Sequence, residues 1–150
     1  MEWKKNILHD DALIKDLLEQ SSTIAVLGIK PESHANQPAF YVPKYLAEAG
    51  YEVIPVPVYY PDVTEIFGKP VFRKLTEIGK EIDIVNIFRR SKDVMMHVRE
   101  IIAAKPKAVW MQLGIYNDDA AERLAQAGIK VVQDLCIMVE HRTLVGSRAS

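Results

Sequence analysis

An apolar run that ends at a glycine is the feature that most constrains the fold of this chain. Residues 24–27 read Ile-Ala-Val-Leu, Gly28 follows, and a helical pattern begins near Ala39. In nucleotide-binding α/β proteins the first strand ends in this way, because a residue without Cβ lets the backbone turn and approach a phosphate. Gly28 is the only glycine between Ile24 and Glu48, so two glycines of the dinucleotide fingerprint are missing. The pattern therefore predicts a binding site for a nucleotide-like ligand, and this site differs from a typical NAD site.

Apolar runs and helical patterns alternate along the rest of the chain. Such alternation predicts a parallel sheet with helices on both faces and right-handed crossovers. The 150 residues suffice for one domain, with a core over about residues 10–145. We therefore predict an α/β fold, a Rossmann-like parallel sheet of about five strands in a single domain. The predicted strands are 23–27, 51–56, 82–88, 108–113 and 130–133.

The predicted helices lie between these strands. Asp10 or Asp11 is the expected N-cap of the first, Ser91 of the fourth and Asn117 of the fifth. Pro43 fits its helix only in the first turn. Residues 59–67 are expected to form a loop, and 139–144 a final turn or short helix. The predicted helices are 10–19, 38–49, 71–78, 91–104 and 117–127.

Composition excludes several classes of protein. The chain is 49% hydrophobic and 26% charged with a net charge of −1, so no strong field draws it to nucleic acid or to a membrane. Its one cysteine, Cys136, excludes an intrachain disulfide and a cysteine zinc cluster. Residues 1–5 lack an apolar signal core, and no window approaches the roughly 18–20 apolar residues of a membrane span. We expect a cytoplasmic protein.

In sheets of this kind the ligand lies outside the carboxyl ends of the strands, where the strand order switches. That rule selects the segments that follow each predicted strand, together with the start of the helix after the first. The candidate binding residues are Gly28, Ile29, Lys30, Pro31, Ala39, Val56, Pro57, Phe88, Arg89, Arg90, Ser91, Gln112, Gly114 and Ile115.

Two consecutive arginines are the strongest single signal among them. Arg89 and Arg90 follow a buried strand and precede a helix start. Arginine binds phosphate through two parallel hydrogen bonds, and a helix N-terminus adds free amides. The alternative is a solvated pair that makes weak surface ion pairs. Lys30 is within reach of the same phosphates or is an ordinary loop lysine.

The end of the second strand argues against a dinucleotide oxidoreductase. Those enzymes place an acid there for the ribose hydroxyls, whereas this chain has Pro55-Val56-Pro57-Val58 and no acid before Asp62. The prolines form either a stiff apolar ledge for a base or tether, or a rigid loop without a ligand role.

After the fourth strand, Gly114 permits close backbone approach and Gln112 offers a donor and an acceptor. Trp110 is expected in the core.

No combination of residues in the sequence indicates a catalytic set. Cys136 and His141 are close in sequence, but a lone cysteine beside Leu135 and Ile137 is typical of a core residue. The four histidines lack metal-ligand spacing, and no nucleophile elbow or Walker pattern occurs. We assign no catalytic residue and no metal ligand.

Several segments, taken in order, carry a family resemblance. They are Thr23–Gly28, Tyr45-Leu46 with Gly50–Val56, Phe67-Gly68, Asp83–Val85 with Phe88–Ser91, Val109–Gly114, and Ala127-Gly128 with Cys136–His141. With these the chain resembles the small single-domain CoA-binding protein family, which is related to the N-terminal CoA-binding domain of the succinyl-CoA synthetase α subunit. The Phe-Arg-Arg-Ser and Trp-x-Gln-x-Gly segments together are the most specific.

The resemblance implies that coenzyme A or an acyl-CoA is the ligand. By that likeness the Gly28 loop and the next helix N-terminus hold the pyrophosphate. The loops after strands two and three flank the adenosine and its phosphate, with Gly114 near the same cleft. Relatives commonly have a small residue at position 29, a basic residue at 37, asparagine at 57 and an acid at 92. Here those positions hold Ile29, Gln37, Pro57 and Lys92.

We therefore expect a CoA-binding protein without catalysis of its own, since the phosphohistidine domain of the synthetase is absent. An NAD(P)-linked enzyme, with the arginines on a 2′-phosphate, and a thiol-dependent enzyme using Cys136 remain alternatives. A third alternative is a module that docks a protein partner through Tyr59-Tyr60-Pro61, with CoA as regulator. A homo-oligomer is also compatible with the sequence.

Overall fold

Five short strands pair in parallel register in the computed structural model, which describes residues 2–146. The strands of this sheet are β1 (Thr23–Leu27), β2 (Glu52–Val56), β5 (Ile84–Ile87), β6 (Ala108–Met111) and β7 (Lys130–Val132). A separate antiparallel hairpin consists of β3 (Glu65–Ile66) and β4 (Lys69–Pro70). The helices are α1 (Asp11–Gln20), α2 (Pro38–Glu48), α3 (Val98–Ala104), α4 (Asp118–Gln126) and α5 (Ile137–Glu140), which continues as a π-helical turn, His141–Val145.

The order of the strands places a switch between β1 and β5. The sheet runs β2-β1-β5-β6-β7, so the chain steps outward from β1 to β2 and then crosses to the other side. When only the five strands of this sheet are numbered along the chain, this is the 2-1-3-4-5 order of open doubly wound sheets. The prediction of an α/β parallel sheet of about five strands in one domain is confirmed.

Alternate residues of each strand feed two cores, one on each face of the sheet. Ala25, Val85 and Val109 face the core that includes α3 and α4. Ile24 and Trp110 face the other core, with α1, α2 and α5. Both faces are therefore covered, which explains why every strand of the main sheet is almost continuously apolar. Trp110 is fully buried as expected, and its indole Nε1 donates to the carbonyl of Leu135 at 2.8 Å.

The predicted helix over 71–78 is wrong. Only a single 3-10 turn forms there, Leu75–Glu77, and the loop expected over 59–67 contains β3. The backbone of Phe72 donates to the carbonyl of Pro55 at 2.9 Å, and that of Val71 donates to Thr64 at 3.0 Å. The Phe72 bond joins this segment to the outer edge of β2, and the Val71 bond extends the β3–β4 hairpin. Contacts with residues distant in sequence thus prevail over the local helical pattern.

The helix expected over 91–104 is interrupted, and Ser91 is not its side-chain cap. Two 3-10 turns, Ser91–Asp93 and Met95–His97, precede α3. The Ser91 hydroxyl instead accepts the backbone N–H of Tyr116 at 3.0 Å, on a neighbouring loop. Asp10 and Asn117 do cap α1 and α4, accepting from the backbones of Ala12 and Ala120.

A buried carboxylate secures the start of β1. Asp83 Oδ2 accepts the backbone N–H groups of Ser22 at 2.7 Å and Thr23 at 3.0 Å, and Oδ1 lies 3.3 Å from Lys107 Nζ. Burial raises the pKa of Asp83, but these bonds outweigh it and hold the pKa below its usual 3.8. Asp83 directly precedes β5, so it joins the start of β1 to the start of β5.

We predict that Asp83→Asn lowers the free energy of unfolding at pH 7 by about 1–3 kcal/mol, because a charge-assisted acceptor is lost. A carboxyl with a depressed folded pKa stabilises the fold above its unfolded pKa and loses that contribution as pH falls through the folded value. The difference between variant and parent should therefore shrink toward pH 3 in urea titrations. Asp62→Asn, in an exposed loop, is the control and should change stability by less than about 0.5 kcal/mol. A pH-independent loss would contradict the assignment.

Gly28 makes the tightest backbone approach among the described glycines. Its φ is +91°, and a Cβ built there would lie 2.2 Å from the carbonyl oxygen of Phe88 and 3.4 Å from Cδ of Arg89. No side chain fits against a backbone atom at that distance. The end of β1 can therefore lie beside the end of β5 only with glycine at position 28.

We predict that Gly28→Ala destabilises the protein much more than Gly50→Ala, as measured by urea unfolding. Gly50 also has a positive φ, +106°, but a Cβ there meets no atom within 4 Å. The Gly50 variant isolates the conformational cost of about 1–3 kcal/mol, and the Gly28 variant adds the clash. Equal losses in the two variants would show that the contact with Phe88 relaxes freely.

Candidate functional site

An open cleft of about 480 Å³ lies at the carboxyl ends of β1, β5 and β6, beside the switch in strand order. Its walls come from the start of α2, the segment after β5 and the segment after β6. The lining residues are Lys30, Gln37, Pro38, Ala39, Phe88, Arg89, Arg90, Ser91, Gly114 and Ile115. The rule that places ligands at a switch point therefore selects a real concavity.

Most of the candidate binding residues meet in this cleft. The eight that line it are Lys30, Ala39, Phe88, Arg89, Arg90, Ser91, Gly114 and Ile115. Gly28 lies beneath Arg89. The others, Ile29, Pro31, Val56, Pro57 and Gln112, are buried and do not line the cleft. Sequence reasoning did not select Gln37 and Pro38 as lining residues, although a proline at the first helical position marks a helix start.

Gln112 belongs to a buried polar network. Its Oε1 accepts the backbone N–H of Ile137 at 3.2 Å and the side-chain amide of Asn86 at 3.3 Å. Asn86 Nδ2 also lies 3.3 Å from the carbonyl of Trp110. The donor at Ile137 fixes the orientation of the Gln112 amide. The acceptor of Gln112 thus serves the start of α5 and Asn86 from within the core, and not the cleft.

A proline inside α2 ties the loop after β1 to that helix. Pro43 lies past the first turn of α2, contrary to expectation, and has no N–H to give to the carbonyl of Ala39. That carbonyl instead accepts the backbone N–H of Lys30 at 3.0 Å. The Lys30 ammonium turns back and hydrogen-bonds Gln37 Oε1. The loop and the N-terminus of α2 therefore form one wall of the cleft.

The two arginines differ in their surroundings. Arg89 has only 23% of its side chain exposed; its Nε donates to His97 Nε2 at 3.2 Å, and its Nη2 lies 3.8 Å from Met96 Sδ. Arg90 is 74% exposed and donates through Nε to Asp93 Oδ2 at 2.8 Å. Asp93 also lies 3.9 Å from Arg89 Nη2. Arg89 is thus held in place, whereas Arg90 extends toward solvent.

Asp93 is the counter-ion of this pair. The hydrogen bond from Arg90 lowers the pKa of Asp93 against the opposing effect of burial, and the charges of Arg90 and Arg89 lower it further. Lys30, Arg89 and Arg90 bring three cationic side chains to the cleft, and Asp93 neutralises part of that charge. A chain of net charge −1 therefore carries a locally positive cleft, which favours an anionic ligand.

The segment 113–117 is fastened to its neighbours on both sides. Gly114 donates its backbone N–H to Asp134 Oδ1 at 2.6 Å, and Asn117 Nδ2 donates to the carbonyl of Ser91 at 3.1 Å. The Ser91 hydroxyl accepts from Tyr116, as described above. Gly114 lines the cleft with a φ of +83°, and a Cβ built there would meet no atom within 4 Å.

The structure places the other candidate groups elsewhere. Cys136 is half-buried at the start of α5, and His141 Nδ1 lies 2.8 Å from the hydroxyl of Tyr45. Tyr59 is 73% exposed, in a loop whose carbonyls at Tyr59 and Tyr60 accept from Arg73.

Within residues 2–146, no three His, Cys, Asp or Glu side chains converge as metal ligands. Across the same range, every helix is too short or too polar to cross a bilayer.

Fold and cleft together define an open α/β protein with a ligand cleft at its topological switch point. The family model described as "CoA binding domain" matches residues 22–142, which include every residue of the cleft. The chain therefore belongs to the CoA-binding domain family, as the resemblance implied.

Several known proteins resemble this chain in sequence, in fold or in both. Protein YneT of Bacillus subtilis (strain 168) is 37% identical over 130 residues, which are 87% of this chain and 93% of YneT. The solved structure of cell-free ID.343 from Thermus thermophilus has a TM-score of 0.83 and 39% identity, over 91% of this chain and 99% of that one. The apo form of dinucleotide forming Acetyl-coenzyme A synthetase 1 from Ca. Korarchaeum cryptofilum has a TM-score of 0.63 at 19% identity. That match covers 73% of this chain and 25% of the synthetase, and shares the fold alone.

We predict that Ser91→Ala loosens the segment after β6 without unfolding the protein. Loss of the Ser91 acceptor leaves the Tyr116 N–H to water and costs about 0.5–1.5 kcal/mol. Amide hydrogen exchange at Tyr116 should accelerate, while exchange in the β5 strand stays unchanged. Ser33→Ala, on an exposed turn, is the control. Unaltered exchange at Tyr116 would show that the hydroxyl does not hold this segment.

Proposed function

We propose that this protein binds coenzyme A or an acyl-CoA in the cleft at the switch point, without catalysis of its own. The observation that carries the proposal is the positive charge of this cleft in a chain of the CoA-binding domain family. Coenzyme A carries a pyrophosphate and a 3′-phosphate, and arginine binds such groups through paired hydrogen bonds. Arg89 and Arg90 hold phosphate in this proposal.

The start of α2 supports a second phosphate contact. Pro38 is the first residue of the helix and Ala39 follows, so the Ala39 N–H has no acceptor within the helix. An 11-residue helix also presents the positive end of its dipole there. The pyrophosphate would lie between this terminus and the arginines, over the backbone at Gly28.

Three of the four departures from the family pattern have structural counterparts that favour retained binding. Gln37 replaces a basic residue, but the Lys30 ammonium bonds to Gln37 Oε1 and brings a positive charge to the same corner. Ile29 and Pro57 are buried, so their side chains pack inside the protein. The apolar strand ends beside the cleft suit the pantetheine arm.

The proposal predicts that Arg89→Ala with Arg90→Ala weakens CoA binding by about 10- to 100-fold, since each charge-assisted contact contributes roughly 1.4 kcal/mol or more. Isothermal titration calorimetry with CoA, dephospho-CoA and NADP⁺ measures this. Dephospho-CoA should bind the parent more weakly than CoA if an arginine holds the 3′-phosphate.

Arg99→Ala with Arg123→Ala is the matched control, because both side chains are exposed on α3 and α4 and the change in net charge is identical. The control should bind CoA like the parent. Unchanged CoA affinity in the Arg89/Arg90 variant would overturn the assignment of the phosphate site. Tight NADP⁺ binding without CoA binding would instead favour an oxidoreductase.

A further inference from the structure

The guanidinium of Arg89 rests on a histidine that sequence reasoning did not select. His97 closes the second 3-10 turn after β5, and its Nε2 lies 3.2 Å from Arg89 Nε. The aliphatic stem of Arg89 packs over Gly28, so His97 contacts the polar end of a side chain already confined at its base. The cleft-lining arginine thus has a support on each side.

The chemistry of this contact fixes the protonation state of the imidazole. Arginine only donates hydrogen bonds, so Nε2 of His97 must carry a lone pair, and the ring proton is on Nδ1. A protonated His97 has no acceptor at Nε2 and would place a second cation against Arg89 at 3.2 Å. The contact therefore exists only with the neutral ring.

Neighbouring charges act on His97 in both directions. Burial lowers its pKa below the ordinary 6.5 and the Arg89 charge lowers it further, whereas Glu100 and Asp93 raise it. Glu100 belongs to α3, and its carboxylate accepts the backbone N–H of Leu75. Asp93 is shared with the two arginines. Burial and Arg89 prevail, so the ring is neutral at pH 7.

We propose that His97 is a positioning residue whose neutral imidazole holds Arg89 toward the cleft, so that protonation of His97 weakens the binding of phosphate-bearing ligands there. The inference rests on the proposed function, since it concerns the same cleft. His97 acts through Arg89, and the ligand is a phosphate ester or pyrophosphate such as coenzyme A.

The sign of the pH effect follows from the contact. With a depressed pKa, His97 keeps the ring neutral and Arg89 in place above about pH 6.5, the value for an unperturbed histidine. As pH falls through the pKa of His97, the acceptor is lost and the two cations repel. Affinity then falls by up to about tenfold per pH unit below that pKa.

The test compares His97→Gln with His97→Phe. Gln keeps a carbonyl acceptor near the position of Nε2 but does not titrate, whereas Phe fills the space without an acceptor. His9→Gln, at an exposed site on the chain before α1, is the control. CoA affinity is measured by calorimetry between pH 5.5 and 8. Titration of the CoA phosphates is common to all variants and cancels in their ratios.

At pH 7.5 we expect the Gln variant to bind CoA within about threefold of the parent and the Phe variant about tenfold more weakly, as for loss of one charged hydrogen bond. As pH falls through the pKa of His97, which the ¹⁵N shifts of its ring report, the parent and the His9 control should lose affinity relative to the Gln variant. A parent-to-Gln ratio that stays constant while His97 becomes protonated, or a Phe variant that binds like the parent, would overturn the proposal.

A measurement that does not use CoA separates this inference from the proposed function. The ¹⁵N chemical shifts of His97 should show an unprotonated Nε2 at pH 7.5, and pyrophosphate titration should perturb the Arg89 Nε–H in the parent more than in the Phe variant. If CoA does not bind while both signals appear, the proposed function fails and the positioning role stands. A proton on Nε2 at pH 7.5 would overturn the role of His97.

Discussion

The close approach of β1 and β5 at Gly28 is the contact on which the rest of the site depends. The carbonyl of Phe88 occupies the space where any other residue at position 28 would carry its Cβ. Because the two strands are neighbours at the switch point, this contact brings the loop before α2 and the arginines after β5 to the same edge. A wider separation would move Arg89 away from the wall formed by Lys30 and α2.

Features decided by neighbours in sequence could be predicted, and features decided by distant partners could not. The apolar runs of the strands and the short polar caps at Asp10 and Asn117 are local signals, and the structure has them where the sequence places them. The segment 71–78 has helical spacing, but Phe72 bonds to Pro55 at the edge of β2 instead. Ser91 has the chemistry of an N-cap but bonds to Tyr116.

The rule that ligands lie at the carboxyl ends of the strands selected most of the cleft, because topology rather than side-chain detail positions it. His97 escaped notice because only the fold places it beside Arg89.

The cleft shows how a nearly neutral chain can present a charged site. Its cations come from two segments that are far apart in sequence, Lys30 after β1 and the arginine pair after β5, and only the fold brings Lys30 to the arginines. Asp93 balances part of this charge from behind the arginines. The family relationship and the shared fold concern the framework, while these particular side chains determine how an anion would be held.

Pro43 has a mechanical consequence for the cleft wall. A proline in the body of a helix normally weakens it, yet here the unused carbonyl of Ala39 takes the backbone of Lys30 as its partner. The loop after β1 is thereby attached to α2. Its position relative to the sheet depends on how that helix packs on the core. Repacking beneath α2, at residues remote from the ligand such as Leu46, would thus shift the wall of the cleft as a unit.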